Sequence, residues 1–447
     1  MASHLAYKDL SWTTQPTGEE YLAGLLQRFV ERSPAIARLS AQLLDAAGVR
    51  LRDIVDHLRL ADTADLEAAT RAGWRSDGAG ALRNEDGLFP AILEGSTDGL
   101  WIRVESADVF VAAQRLETAV DGEPGAPLRF VTASTDGGIT LGAVERAGDA
   151  GFEVRPVDAR TIRNARVHLS AFRARRRQFD TVEQGLAHTE ALVDAAVADI
   201  GPHWACDIWL RAERDYWMRR CAAGRLQKAR QDAVGIGWAN IDHHTYDGSR
   251  QHFRHTVRIL EKLGYELREM LYAGAMAGWG SQILEQPAIR STIFADVDLA
   301  PEEVDVDFAH QPLAPLDRHR RAGVLSVMHG ESILEGGLNH VAGLYEQRAL
   351  RAQLEEVGLR MMAPFSNMPH LYQELTEGDW AAVDPARVDA LVAGGHMSEE
   401  EGEKVRLNGA IAAHLENIER NDGYKGFNKP GIDGVLRKLD PRAYADA

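Results

Sequence analysis

At 447 residues with 45% hydrophobic content, the chain is long enough for two or three domains with sizeable cores. Its 67 acidic against 50 basic side chains give a formal net charge of −17, which repels a phosphate backbone. The one dense basic run, Arg173 with Arg175, Arg176 and Arg177, reads as a solvated helix face, so no nucleic-acid partner is expected. No stretch of about 18 apolar residues and no basic-then-apolar leader occurs, which argues against a membrane span or secretion. Two cysteines, Cys206 and Cys221, make neither a disulfide framework nor a zinc pattern, and fit reduced thiols in a cytoplasmic protein.

Along the chain, "EEYLAGLLQRFVERSPAIARLSAQLLDAAG" carries apolar residues at helical spacing and stops at Gly48. "GLWIRVES" and "PLRFVTAS" read as short strands among Gly, Asp and Pro turn signals. Residues 1–150 are therefore an α+β domain of unassigned role, and 151–234 a helical segment. The Trp204, Trp209, Tyr216 and Trp217 stripe of that segment is helix packing.

From residue 235 the pattern becomes strand, helix, strand, strand, strand: "IGWANIDHHTYD", "SRQHFRHTVRILEKLGY", "ELREMLYAG", "GWGSQILEQP" and "STIFADVDL". About a hundred residues later "GGLNHVAGLY" and "EQRALRAQLEEVGLRMM" repeat the opening strand and helix, and align Asp242-His243 with Asn339-His340. Adjacent strand residues face opposite ways, so His243 and His244 cannot share one ion, and the repeat selects His243. Two equivalent strands packed side by side would aim His243 and His340 into one cleft. Two imidazoles and a carboxylate on a divalent metal leave coordination positions open, which suits Fe(II) and oxygen chemistry. Glu374 in "PHLYQELTEGDW" is the candidate carboxylate, with Glu377 and Glu285 as alternatives.

"DHHTY", "LGYELREMLYAG", "AIRSTIF", "GLNHVAGLY" and "LYQELTEGD", in that order, resemble the 2-oxoadipate dioxygenase/decarboxylase (2-hydroxyglutarate synthase) family, a divergent branch of the vicinal oxygen chelate superfamily. The resemblance covers residues 235 to about 440. It implies paired βαβββ modules over 235–447, with His243, His340 and Glu374 holding Fe(II) or another divalent metal. It further implies oxidative decarboxylation of a small 2-oxo acid with O2, of the kind that turns 2-oxoadipate into 2-hydroxyglutarate. "GFNKPGIDGVL" resembles a substrate loop, which makes Lys429 a partner for a substrate carboxylate. Where the family has an arginine four residues after the first histidine this chain has Asp247, and Arg250, Arg254 or Arg290 are the replacements; Arg290, Lys429 and Tyr246 are the expected substrate-binding residues.

Competing readings are a non-catalytic small-molecule binder of the same fold, and a metal-dependent isomerase or lyase. The chain has no G-x-S-x-G, no P-loop and no G-x-G-x-x-G between a strand and a helix. "IDHHTYD" lacks the further paired aspartates that a two-manganese phosphoesterase needs. Partners are thus a small carboxylate and O2, with self-association left open.

Overall fold

The computed structural model describes residues 10–428, 431, 440 and 442. The chain opens with helices α1 (Pro16–Arg32) and α2 (Pro34–Ala47). Each carries proline at its first position, where the missing N–H costs nothing. Ser33 accepts from the Ile36 N–H to cap α2, and Gly48, at φ +65°, ends it in the left-handed conformation that glycine tolerates.

A first run of strands and helices follows: β1 (Val55–Leu60), α3 (Thr63–Arg71), β2 (Arg75–Ser76), β3 (Ala81–Arg83), β4 (Ala91–Glu94), β5 (Asp98–Val104), α4 (Ala107–Ala113), β6 (Val120–Asp121), β7 (Leu128–Asp136) and β8 (Ile139–Arg146). Four helices come next, α5 (Ala159–Ala174), α6 (Val182–Ile200), α7 (Pro202–Met218) and α8 (Ala222–Ala233). The second run is β9 (Ile241–Gly248), α9 (Phe253–Lys262), β10 (Glu266–Tyr272), β11 (Trp279–Gln286), β12 (Ser291–Asp298), α10 (Arg321–His329), β13 (His340–Leu344), α11 (Gln347–Glu356), β14 (Ser366–Met368), β15 (Leu371–Leu375), β16 (Asp379–Ala381), α12 (Pro385–Ala393), α13 (Glu399–Asn408) and β17 (Ala410–Arg420).

These strands form two mixed sheets of the same design. The first has the order β2-β3-β4-β1-β5-β8-β7-β6, and the second β10-β11-β12-β9-β13-β17-β15-β14, with β16 added beside β17. Each sheet joins two βαβββ units through their first strands, which run antiparallel: β1 against β5, and β9 against β13. Within each unit the last strand returns parallel to the first. The paired units expected after residue 235 are therefore present, and the fold is α+β. The N-terminal strands, in which the sequence showed no such pattern, repeat the arrangement.

Helix α7 packs on the second sheet at the face that carries His244 and Tyr246, with α5, α6 and α8 packed around it. Trp209 of α7 donates to the Tyr246 hydroxyl at 3.2 Å, and Trp204, Trp209 and Trp217 are buried, as expected for a packing stripe. The basic run is a solvated face only in part: Arg173 and Arg176 are exposed, whereas Arg175 and Arg177 turn inward. Arg175 is fully buried, 2.8 Å from the likewise buried Glu213, with its guanidinium 4.6 Å from the Trp209 ring centre; Arg177 holds the same carboxylate. A charge buried at this depth has to be paired, and Glu213 answers both arginines. Among the described residues no helix is long and apolar enough to cross a membrane.

Candidate metal centre

Register determines what meets at the middle of the second sheet. Across β9 and β13, His243 lies opposite Ala342 and Thr245 opposite His340; across β13 and β17, Ala342 lies beside Glu416. Paired residues share a face, so His243, His340 and Glu416 project to the same side from three adjacent strands. His243 Nε2 is 3.3 Å from Glu416 Oε2, His340 Nε2 is 3.2 Å from the same oxygen, and the two imidazole nitrogens are 3.4 Å apart. Ligands about 2.0–2.2 Å from one ion are separated by about 3.0 Å at right angles and about 3.4 Å at tetrahedral angles. The three donor atoms are therefore spaced as the ligands of a single divalent ion would be.

Neighbouring groups fix these side chains. Asp242 sits 2.8 Å from His243 Nδ1 and accepts its proton's hydrogen bond, which aims Nε2 at the centre. Arg420 in turn donates to both Asp242 oxygens, at 2.6 and 3.0 Å. Gln373 donates to Glu416 Oε1 at 2.9 Å, leaving Oε2 for the centre, and Thr245 Oγ1 is 2.8 Å from His340 Nε2. The rings of Phe294 and Phe427 pack on His243 with centroids at 4.8 and 5.6 Å and shield it from water.

Burial disfavours charge on the Glu416 carboxyl, yet His243 and then His340 outweigh it and hold the group down to about 2. Burial likewise opposes a charged His243, but Glu416 and Asp242 push that imidazole up to about 9. His340 moves the other way, lowered by burial and by His243. One proton is thus trapped between His243 and Glu416, where a cation would displace it.

Glu374, expected as the third ligand, is not in this group. In the β15–β17 pairing it lies opposite Asn417, one residue from Glu416, and the two-residue period turns it to the other face of the sheet. There it is fully buried, bonded by Arg351, by Tyr372 at 2.7 Å and by Asn417 at 2.9 Å. Neither alternative replaces it: Glu377 pairs with Arg360 on the surface, and Glu285 lines a cleft that none of the three donors lines. The interval from His340 to Glu374 is short for a helix and the remaining strands of a module, and this was the available signal. Helices α12 and α13 push the last strand out to 410–420, where "AIAAHLENIER" carries Glu416.

The expected substrate-binding residues lie elsewhere. Tyr246 shares the His244 face and is buried against α7, its hydroxyl 3.2 Å from both Trp209 Nε1 and Glu213 Oε2. Arg290, in the β11–β12 turn, lines the same cleft as Glu285. Lys429 is outside the described residues. Of the alternatives, Arg250 is committed to Glu303 and to backbone carbonyls. Asp247 is buried on the face of the triad, in register with Asp296, and burial pushes both carboxyls up, toward their neutral forms. His244 is kept neutral by burial and by Arg214, which donates to its Nε2 at 3.3 Å.

The first sheet contains part of the same constellation. Asp56 and His57 stand where Asp242 and His243 stand: Asp56 is 2.7 Å from His57 Nδ1 and takes two 2.7 Å bonds from Arg146, the counterpart of Arg420. By register, Gly99 occupies the position of His340, and Gly142 that of Glu416. Trp101, at the position of Ala342, fills the space, since a Cβ on Gly142 would fall 2.1 Å from its ring. The Trp101 ring stacks on His57 at 5.6 Å and 6°. One sheet offers a full donor set and the other a single histidine under an indole.

No family model and no curated protein matches the chain. Among solved structures, a mutant of 4-hydroxymandelate synthase from Streptomyces coelicolor aligns over 75% of this chain and 95% of its own length, with 12% identity and a TM-score of 0.29. Similarity at that level determines nothing about the chemistry of this chain.

Proposed function

We propose that the chain is a non-haem Fe(II)-dependent oxygenase acting on a small 2-oxo acid, with His243, His340 and Glu416 as the metal-holding set. The observation that carries this reading is the mutual spacing of 3.2 to 3.4 Å among three buried donor atoms from three adjacent strands. Two imidazoles and one carboxylate on one side of an ion leave the opposite side open, the donor set of Fe(II) oxygenases. When bound, the iron supplies the redox chemistry and sites for a 2-oxo acid and O2.

The residues of the chain prepare that centre. Asp242 fixes the tautomer of His243, Arg420 holds Asp242, and Gln373 orients Glu416. Phe294 and Phe427 keep bulk water from His243. The reaction consistent with the resemblance is oxidative decarboxylation, the 2-oxo acid itself supplying electrons. Asp247 stands where that resemblance leads to an arginine, so a distal carboxylate on the substrate would meet buried carboxyls that burial pushes toward their neutral forms.

Oxygen uptake with a panel of straight-chain 2-oxo acids tests the proposal. Uptake matched by CO2 release, dependent on Fe(II) and abolished by His340→Ala, is the expected result. Iron-loaded protein that consumes no oxygen with any member would overturn the oxygenase reading, and would leave an isomerase, a lyase or a binding protein.

A further inference from the structure

A cleft of about 510 Å³ lies away from the triad, walled by the start of β1, the end of β5, α7, the β11–β12 turn and the start of β9. That volume suits a metabolite-sized ligand. Ten arginine and lysine residues line it against seven aspartates and glutamates, in a chain whose net charge is −17. The cleft is therefore a positive recess on a negative protein.

Most of those cations are paired in place. Arg146 spans both oxygens of Asp56, Arg420 both oxygens of Asp242, and Arg211 reaches Asp207 at 2.7 Å. Two are left over. Arg103 comes no closer than 3.9 Å to Asp56, whose oxygens Arg146 already occupies. Arg290 has no hydrogen bond or ion pair among the described residues. Arg290 is exposed at the cleft mouth, and the crowding walls and then the neighbouring Arg103 charge lower its guanidinium, so the two cations repel each other. Arg290 also holds φ at +54°, a left-handed conformation that is unfavourable for a non-glycine residue. A turn that places a strained, unpaired arginine beside a second one that only shares the Asp56 carboxylate with Arg146 is built to receive negative charge.

We propose that this cleft is a binding site, separate from the triad, for a small organic polyanion clamped between Arg103 and Arg290. Paired guanidiniums select planar, bidentate acceptors, which are carboxylates and phosphates. Phe89, Phe152 and Trp238 in the lining offer apolar surface to the rest of the molecule. Asp242 lines the cleft and bonds His243, and Phe427 lines it and packs on the same ring, so the two sites share a wall.

Calorimetric titration of the full chain with pyrophosphate and, separately, citrate tests the site and distinguishes a phosphate-bearing from a carboxylate-bearing ligand. At least one probe is expected to bind saturably at one per chain, more weakly at high salt, and at least tenfold more weakly in both Arg290→Gln and Arg103→Gln. Arg290→Gln lies on an exposed turn, and an unchanged melting curve identifies it as folded. Binding is expected to persist in His243→Ala, which removes the candidate metal site and with it chelation by either probe. Absence of saturable binding, affinity unchanged in both arginine variants, or loss in His243→Ala would overturn the proposal. The last result would assign the ligand to the metal centre instead.

Discussion

Glu416 and Glu374 lie on neighbouring strands one residue out of register, and so point to opposite faces of the same sheet. Glu416 shares its face with His243 and His340, whereas Glu374 is enclosed by Arg351, Tyr372 and Asn417. A single step along a strand thus separates a candidate ligand from a structural ion pair.

Asp242 sets the ring of His243 and is itself held by Arg420, so replacing Asp242 with Asn should weaken metal binding about 10- to 100-fold while leaving the donor set intact. Competition with a fluorescent chelator measures this. An affinity equal to that of the unaltered chain would show that the aspartate plays no part in orienting the ligand.

Metal binding should depend on pH through His243. The imidazole is pushed up to about 9 by Glu416 and Asp242 against the cost of burial, and a cation must displace its proton. Apparent affinity should therefore rise about tenfold per pH unit between pH 6.5 and 9 and level off above that. The stability of the metal-stripped protein runs the opposite way. A folded-state value above the ordinary 6.5 stabilises fully below pH 6.5, and that contribution is lost as pH rises through about 9. Denaturant melts of chelator-treated protein at pH 6 and 9.5 check the sign.

Tyr246→Phe should lower stability by about 1–2 kcal/mol, because Glu213 Oε2 and Trp209 Nε1 lose a buried partner. KM for any substrate should not change, since the hydroxyl faces away from the triad. A raised KM with unchanged stability would restore the substrate-binding role expected from the sequence.

Trp101→Ala in the first sheet should cost about 3–5 kcal/mol in unfolding free energy, as a large ring leaves a tightly filled space. Metal content should stay as it was, because Gly99 and Gly142 offer no donors beside His57. Gain of a second bound metal would contradict this reading of the N-terminal sheet.

The part of the site legible in the sequence is the part carried by repetition. "NIDHHTY" and "GLNHVAG" share spacing and lead to strands that pair antiparallel, so His243 and His340 were readable as partners, and strand alternation excluded His244. The carboxylate was not readable, because α12 and α13 interrupt the second unit and carry its last strand beyond the expected interval. The duplication in the first 150 residues was hidden for a different reason. Its donor positions are Gly99 and Gly142, and only Asp56, His57 and Arg146 remain to mark it. Tyr246 lies on the strand of His243 and Arg290 just before the strand that pairs with it, and proximity along a strand does not determine which face or which end a side chain serves.

The most direct test is Fe(II) binding by the unaltered chain, Glu416→Ala and Glu374→Gln, titrated under anaerobic conditions. One iron per chain is predicted for the unaltered protein and for Glu374→Gln, with affinity at least a hundredfold lower in Glu416→Ala. Iron retained by Glu416→Ala and lost by Glu374→Gln, or no iron bound by the unaltered chain, would contradict the metal centre.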